Sequence, residues 1–137
     1  MKKAYALYGK GGSGKTSTLN LLIDLLTIQS TGISFPLHNE EKIKMDNTTI
    51  INYRGKIVGI GTRGDNKEEV EKNCRLFKDG NCDIIFTATR TREGSCDAIK
   101  EFTTLNIFSL KWIKKRYSEL NRYNNNLNQA KELFEMI

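Results

Sequence analysis

Eight residues, Gly9-Lys10-Gly11-Gly12-Ser13-Gly14-Lys15-Thr16, constrain the fold more than any other part of the chain. They fit the pattern G-x-x-x-x-G-K-[ST] and lie between two apolar segments of different period. Before them, Ala4-Tyr5-Ala6-Leu7-Tyr8 is a continuous apolar run, which predicts a buried strand. After them, Thr16 to Ile28 carries Leu19, Leu22, Ile23, Leu25 and Leu26 at helical spacing, with Leu19, Leu22 and Ile23 anchoring that helix to a sheet. Glycines in the connecting turn let the backbone curl until successive N–H groups point inward, beside the positive end of the helix dipole. That arrangement suits phosphate oxygens. Lys15 would place an ammonium on β- and γ-phosphates, and Thr16 would offer a hydroxyl to Mg²⁺.

The rest of the chain alternates strand and helix signals. Thr49 to Tyr53 and Lys56 to Ile60 are β-rich runs around Arg54-Gly55 and predict a tight hairpin. Gly64-Asp65-Asn66 precedes a helix with Glu68 and Glu69 in its first turn and an apolar stripe of Val70, Cys74 and Phe77. Asp79-Gly80-Asn81 ends it. Asp83 to Ala88 predicts the next strand, a helix follows Gly94, Asn106 to Leu110 predicts a last strand, and Asn121 to Met136 a last helix. Ser30 to Asp46, which holds Pro36 and the single histidine His38, reads as a loop excursion. Continuous apolar strands joined by helical crossovers predict a mostly parallel α/β sheet with the hairpin as an antiparallel edge. The carboxyl ends of parallel strands then share one edge, where ligands bind.

At Gly9 to Thr16 the chain resembles the superfamily of P-loop nucleoside triphosphate hydrolases. The likeness is specific over about Ala4 to Ile28 and continues loosely, as strand–helix alternation, to the end of the chain. It implies a three-layer α/β/α P-loop NTPase fold, and a nucleoside triphosphate with Mg²⁺ held through Gly9, Lys10, Gly11, Gly12, Ser13, Gly14, Lys15, Thr16 and Ser17. The second lysine, Lys10, is similar to one in the partitioning and septum-site ATPases, where it reaches across a dimer. Those chains are considerably longer, and their aspartate-bearing switch strands have no counterpart here. The hairpin followed by Gly61-Thr62-Arg63-Gly64 resembles the small GTPase layout, with Gly61 where those proteins carry an aspartate. The N-K-x-D guanine signature is missing, so ATP is favoured over GTP.

A second Mg²⁺ ligand is expected at the end of a strand beside the first. Asp65 is the nearest acid to such a position, and its plain alternative, for which it is well placed, is to cap the helix through Cys74. Asp83 precedes its strand and belongs to the opposite edge; Asp24, two turns beyond Lys15, reads as solvated. The segments Ile57 to Arg63 and Ile84 to Arg90 repeat one form, a strand followed by Thr-Arg, and the second continues through Arg92 to Ser95. Parallel strands would bring Arg63, Arg90 and Arg92 out on the phosphate edge, where arginine grips phosphate or neutralises a transferring phosphoryl group. The plain alternative makes them solvated loop residues. Thr62, Thr89 and Ser95 would add hydroxyl donors there.

Length and composition narrow the classes further. At 137 residues a single domain, 1–137, is expected. No apolar run approaches the roughly 20 residues of a membrane span. Met1-Lys2-Lys3 has the charge of a signal peptide, but Ala4 to Tyr8 is too short for its apolar core, so a cytoplasmic protein is expected. Cys74, Cys82 and Cys96 lack metal-site spacing and read as reduced thiols. The net charge of +6 concentrates at Lys111, Lys114, Lys115 and Arg116, interleaved with Trp112 and Tyr117. A solvated helix face around a core Trp112 is the plain reading of that run, and nucleic-acid binding the weaker one.

Together these readings predict a small Mg²⁺- and ATP-dependent phosphotransferase, a kinase acting on a nucleotide or small metabolite as phosphoryl acceptor. Lys15, Arg63, Arg90, Arg92 and Asp65 would be catalytic, and Thr16 and Asp65 would hold the metal. The alternative is a nucleotide-sensing ATPase or binding module that signals by homodimerisation or through a protein or nucleic-acid partner.

Overall fold

The alternating signals of the sequence become five strands and four helices in the computed structural model, which describes residues 2–31, 48–90 and 94–137. In chain order these are β1 (Lys3–Tyr8), α1 (Lys15–Thr31), β2 (Thr48–Tyr53), β3 (Lys56–Gly61), α2 (Lys67–Asp79), β4 (Ile84–Thr89), α3 (Ser95–Leu105), β5 (Ser109–Lys114) and α4 (Arg122–Glu135). The strands form one mixed sheet in the order β2-β3-β4-β1-β5. Only β2 runs antiparallel, on β3; β3, β4, β1 and β5 are parallel neighbours. The expected α/β class and antiparallel hairpin edge are therefore present.

Local chemistry explains these elements. The hairpin turns at Arg54 and Gly55, both with positive φ (51° and 80°), which matches the twist of the flanking strands. All six residues of β4 are buried, as a strand covered on both faces requires. Alternation along β1 divides the core. Tyr5 and Leu7 join Leu19, Leu22, Leu26, Ala130 and Leu133 on the α1/α4 face. Ala4 and Ala6 join Val70, Phe77, Ala98 and Ile99 on the α2/α3 face. Asn66, rather than Asp65, caps α2: its side chain accepts the Glu69 N–H at 3.0 Å.

The last strand differs from its expected place. It spans Ser109–Lys114 rather than Asn106 to Leu110, so the basic–aromatic run is a strand and not a helix face. Ile107 takes a positive φ of 57° at the turn that precedes it. Register with β1 sets Trp112 opposite Ala6 and Lys114 opposite Tyr8. Among the described residues no helix is long and apolar enough to cross a membrane. Arg92, His38, Pro36 and the excursion beyond Thr31 lie outside the described residues.

Candidate functional site

Parallel register brings four strand ends together. Tyr8 pairs with Thr89 on one side and Lys114 on the other, and Gly61 pairs with Thr87. The connections that leave these ends, 9–14, 62–66, Arg90 and Lys115, therefore share one edge of the sheet. A cleft of about 300 Å³ opens there, lined by Gly11 to Ser17, Thr62, Gly64, Asp65, Arg90 and Arg122.

The turn 9–14 is fixed by what packs around it. Gly14 has φ +96°, and a Cβ there would sit 2.7 Å from Oδ1 of Asn126, a buried residue of α4. Only glycine satisfies both conditions without strain. A Cβ on Gly11 would meet the Arg90 guanidinium at 2.7 Å, so the missing side chain lets that cation lie directly on the turn. From the α4 side, Arg122 donates to the Gly12 carbonyl at 3.2 Å. The Ser13 hydroxyl is buried and has no hydrogen-bond partner among the described residues.

Lys15, the first residue of α1, is only 8% exposed. Its ammonium folds back to donate to the Gly9 and Lys10 carbonyls, at 2.5 and 3.2 Å. Burial pulls this lysine below its ordinary pKa; Asp65 opposes the shift and Arg90 reinforces it. A buried cation resting on neutral carbonyls keeps its net charge uncompensated and so attracts an anion. Thr16 donates to the Thr62 carbonyl at a long 3.4 Å, which joins α1 to the loop after β3.

Of the five residues predicted as catalytic, the cleft contains three: Lys15, Arg90 and Asp65. Asp65 Oδ1 accepts from Arg90 Nε at 3.0 Å, with the side chains 61% and 39% exposed. This ion pair holds the acid and the guanidinium against each other at the mouth of the cleft. Arg63 emerges on the same edge but is exposed and is not among the cleft-lining residues; its carbonyl accepts from Asn73 Nδ2 at 2.9 Å. Lys10 is exposed and is not among the cleft-lining residues. Gly64 packs so closely on β4 that a Cβ would fall 1.9 Å from the Ala88 carbonyl oxygen. Ser95 is buried and exchanges hydrogen bonds with the Arg90 backbone, so it braces the β4–α3 turn. Asp24 is buried at 3% exposure rather than solvated.

Three residues of this region escaped sequence reasoning: Lys115, Arg122 and Asn126. Lys115 follows β5 directly, donates its N–H to the Tyr8 carbonyl at 2.8 Å and is only 4% exposed. Its ammonium donates to the Arg116 carbonyl. Burial, then the charges of Arg116, Arg122 and Lys15, push its pKa down to about 8. The signal that could have found it is Tyr8-Gly9: any residue leaving the end of a strand beside β1 must pass under the turn. A scan against protein-family models, and searches of the curated proteins and of the solved structures, find no match to this chain.

Proposed function

We propose that this chain is a P-loop protein that binds ATP with Mg²⁺ and transfers its terminal phosphoryl group to a nucleotide or small metabolite. The observation that carries the reading is Lys15. It is a buried ammonium at the head of α1, held on the turn's own carbonyls within a cleft whose other charged groups are Arg90, Arg122 and Asp65. Among the described residues that line the cleft, three cations stand against one carboxylate, which favours a polyanion. The buried, unpartnered Ser13 hydroxyl in the turn adds a donor for an oxygen ligand.

In this reading, backbone N–H groups of 11–16 orient the phosphates at the positive end of α1. Lys15 spans the β- and γ-phosphates. Arg90, one of the three arginines first expected in this role, and Arg122, which was not, reach the turn at Gly11 and Gly12 and would stabilise charge on the transferring group. Thr16 and Asp65 both line the cleft, and that hydroxyl–carboxylate set fits a hard cation. Bound Mg²⁺ would neutralise phosphate charge there. Asp65, the carboxylate among the described cleft-lining residues, would take the acceptor's proton once phosphate has drawn Arg90 off it.

A second reading, nucleotide sensing through dimerisation or a partner, is favoured by one observation. Asp65 is already engaged by Arg90, which leaves the acid less able to serve as base or ligand. Product analysis separates the two. The protein is incubated with Mg·ATP and a pool of nucleoside monophosphates and sugar acceptors, with Lys15→Ala alongside. A phosphorylated acceptor that depends on Lys15 is the expected result. Free phosphate alone, or intact bound ATP, would remove the phosphotransferase and leave the sensor.

A further inference from the structure

We propose that the depression formed by Tyr8, Cys96, Lys100 and Trp112 binds a planar aromatic ring that carries an anionic group. It lies on the α2/α3 face of the sheet, outside the cleft just described, as an open depression of about 270 Å³. That volume is near the lower end for ligand pockets and suits one small ring rather than a dinucleotide.

Strand register places the two aromatic walls. Trp112 pairs with Ala6, and Tyr8 lies two residues further along β1, so the two rings are diagonal neighbours on one face. Their centroids are 6.3 Å apart at an interplanar angle of 77°. This edge-to-face pair leaves part of the Trp112 face accessible, and both side chains are only half-buried. From α3, Cys96 and Lys100 are one turn apart and look onto the same spot. The Cys96 thiol turns away to the Arg90 carbonyl at 2.8 Å, so a small side chain leaves the space open. Lys100 Nζ stands 5.8 Å from the Trp112 ring centroid, is exposed, and forms no ion pair among the described residues.

An aromatic wall under an uncompensated ammonium matches a ligand with a flat π-face and a negative substituent. Two sources share this chemistry, an aryl carboxylate and a nucleoside monophosphate. The inference stands apart from the ATP reading, because neither Lys15 nor the turn 9–14 contributes to this depression.

Trp112 is the chain's one tryptophan, so its emission reports the site directly. The protein, without ATP or Mg²⁺, is titrated with benzoate, benzyl alcohol, cyclohexanecarboxylate and AMP. Saturable change with benzoate is expected, with both neutral and non-aromatic analogues about tenfold weaker. Lys100→Ala should weaken benzoate about fivefold and leave benzyl alcohol unchanged; Lys100 is on the surface, so this variant folds. AMP binding that exceeds benzoate and survives in Lys15→Ala would make a nucleoside monophosphate the source. AMP binding that is weaker, or is lost in Lys15→Ala, would make it an aryl carboxylate. A linear, unsaturating response to benzoate, or equal benzoate affinity in Lys100→Ala and wild type, would overturn the proposal.

Discussion

At the scale of single residues, Asp65 and Arg90 face a conflict of roles. Their ion pair is exposed and contributes at most about 1 kcal/mol, so an incoming phosphate can compete for the guanidinium. Asp65→Asn removes that competitor. With EDTA present, ATP should then bind roughly two- to fivefold more tightly. If Asp65 also holds Mg²⁺, the same variant should lose most of the affinity that Mg²⁺ adds. Equilibrium dialysis with and without the metal reads both effects, and an unchanged Mg²⁺ gain would leave Asp65 no metal role. Lys115 makes a different prediction. Its pKa is 10.5 in the unfolded chain and about 8 in the folded one. Between those values the unfolded chain holds the extra proton, so stability rises with pH across that window. Below about pH 8 both states are charged and the cost of the buried ammonium is fully present. Lys115→Met should therefore be more stable than wild type at pH 7, by roughly 2 kcal/mol, with the gap closing as pH approaches 10.5. Urea unfolding at several pH values measures it; a gap independent of pH would assign the effect to packing.

At the scale of elements, α4 is a prop for the turn as much as a cover for the sheet. Gln129 accepts the Arg116 N–H at 3.0 Å and donates to the Lys114 carbonyl at 2.9 Å, which ties α4 to the end of β5. One turn earlier, Asn126 lies against Gly14. Gly14→Ala therefore meets two obstacles, the positive φ and the Asn126 amide. It should destabilise by about 1–3 kcal/mol. Adding Asn126→Ala should recover part of that loss, because it relieves the contact and not the dihedral. A thermal-melt double-mutant cycle tests this, and strict additivity would sink the contact. None of it was legible in the sequence. The hairpin and α2 were, because Arg54-Gly55 and Asn66 are local signals that act within a few residues. Even there, the cap was assigned to Asp65, one position early, since an aspartate and an asparagine are chemically equivalent as caps. Strand order is set by contacts remote in sequence, and β4 rather than β3 neighbours β1. The end of the last strand was misjudged because lysines at Lys111 and Lys114 read as solvated; on an edge strand they also blunt pairing with another chain. That error hid Lys115, which looked like one more member of a basic run.

For the whole molecule, the question is whether its positive charge is diffuse or aimed. Of the net +6, Lys15, Arg90, Arg122 and Lys115 converge at the carboxyl edge, with Asp65 as the one acid among the described residues that line the cleft. The converging groups come from α1, α4 and the residues that follow β4 and β5, so a polyanion bound there would tie the strand ends to the packed pair of helices α1 and α4. Bridging links binding to global stability. A ligand that binds only the folded state stabilises it by about 2.7 kcal/mol at a hundredfold excess over Kd. For a chain of this length that raises Tm by roughly 8 °C. Mg·ATP should give such a shift in wild type, almost none in Lys15→Ala, and an intermediate one in Arg122→Ala, which loses one cation and the contact to Gly12. Raising the salt from 0.05 to 0.5 M should reduce the shift, because the exposed arginines are screened while buried Lys15 is not. Scanning calorimetry reads all four conditions, and light scattering on the same samples reports whether nucleotide also doubles the mass. A shift equal in wild type and Lys15→Ala would show that the charge is diffuse. A shift that depends on Lys15 and survives salt in part would identify the buried lysine as the centre of an aimed site. A doubled mass that appears only with nucleotide would move the sensing reading ahead of the phosphotransferase, with exposed Lys10 the first residue to replace.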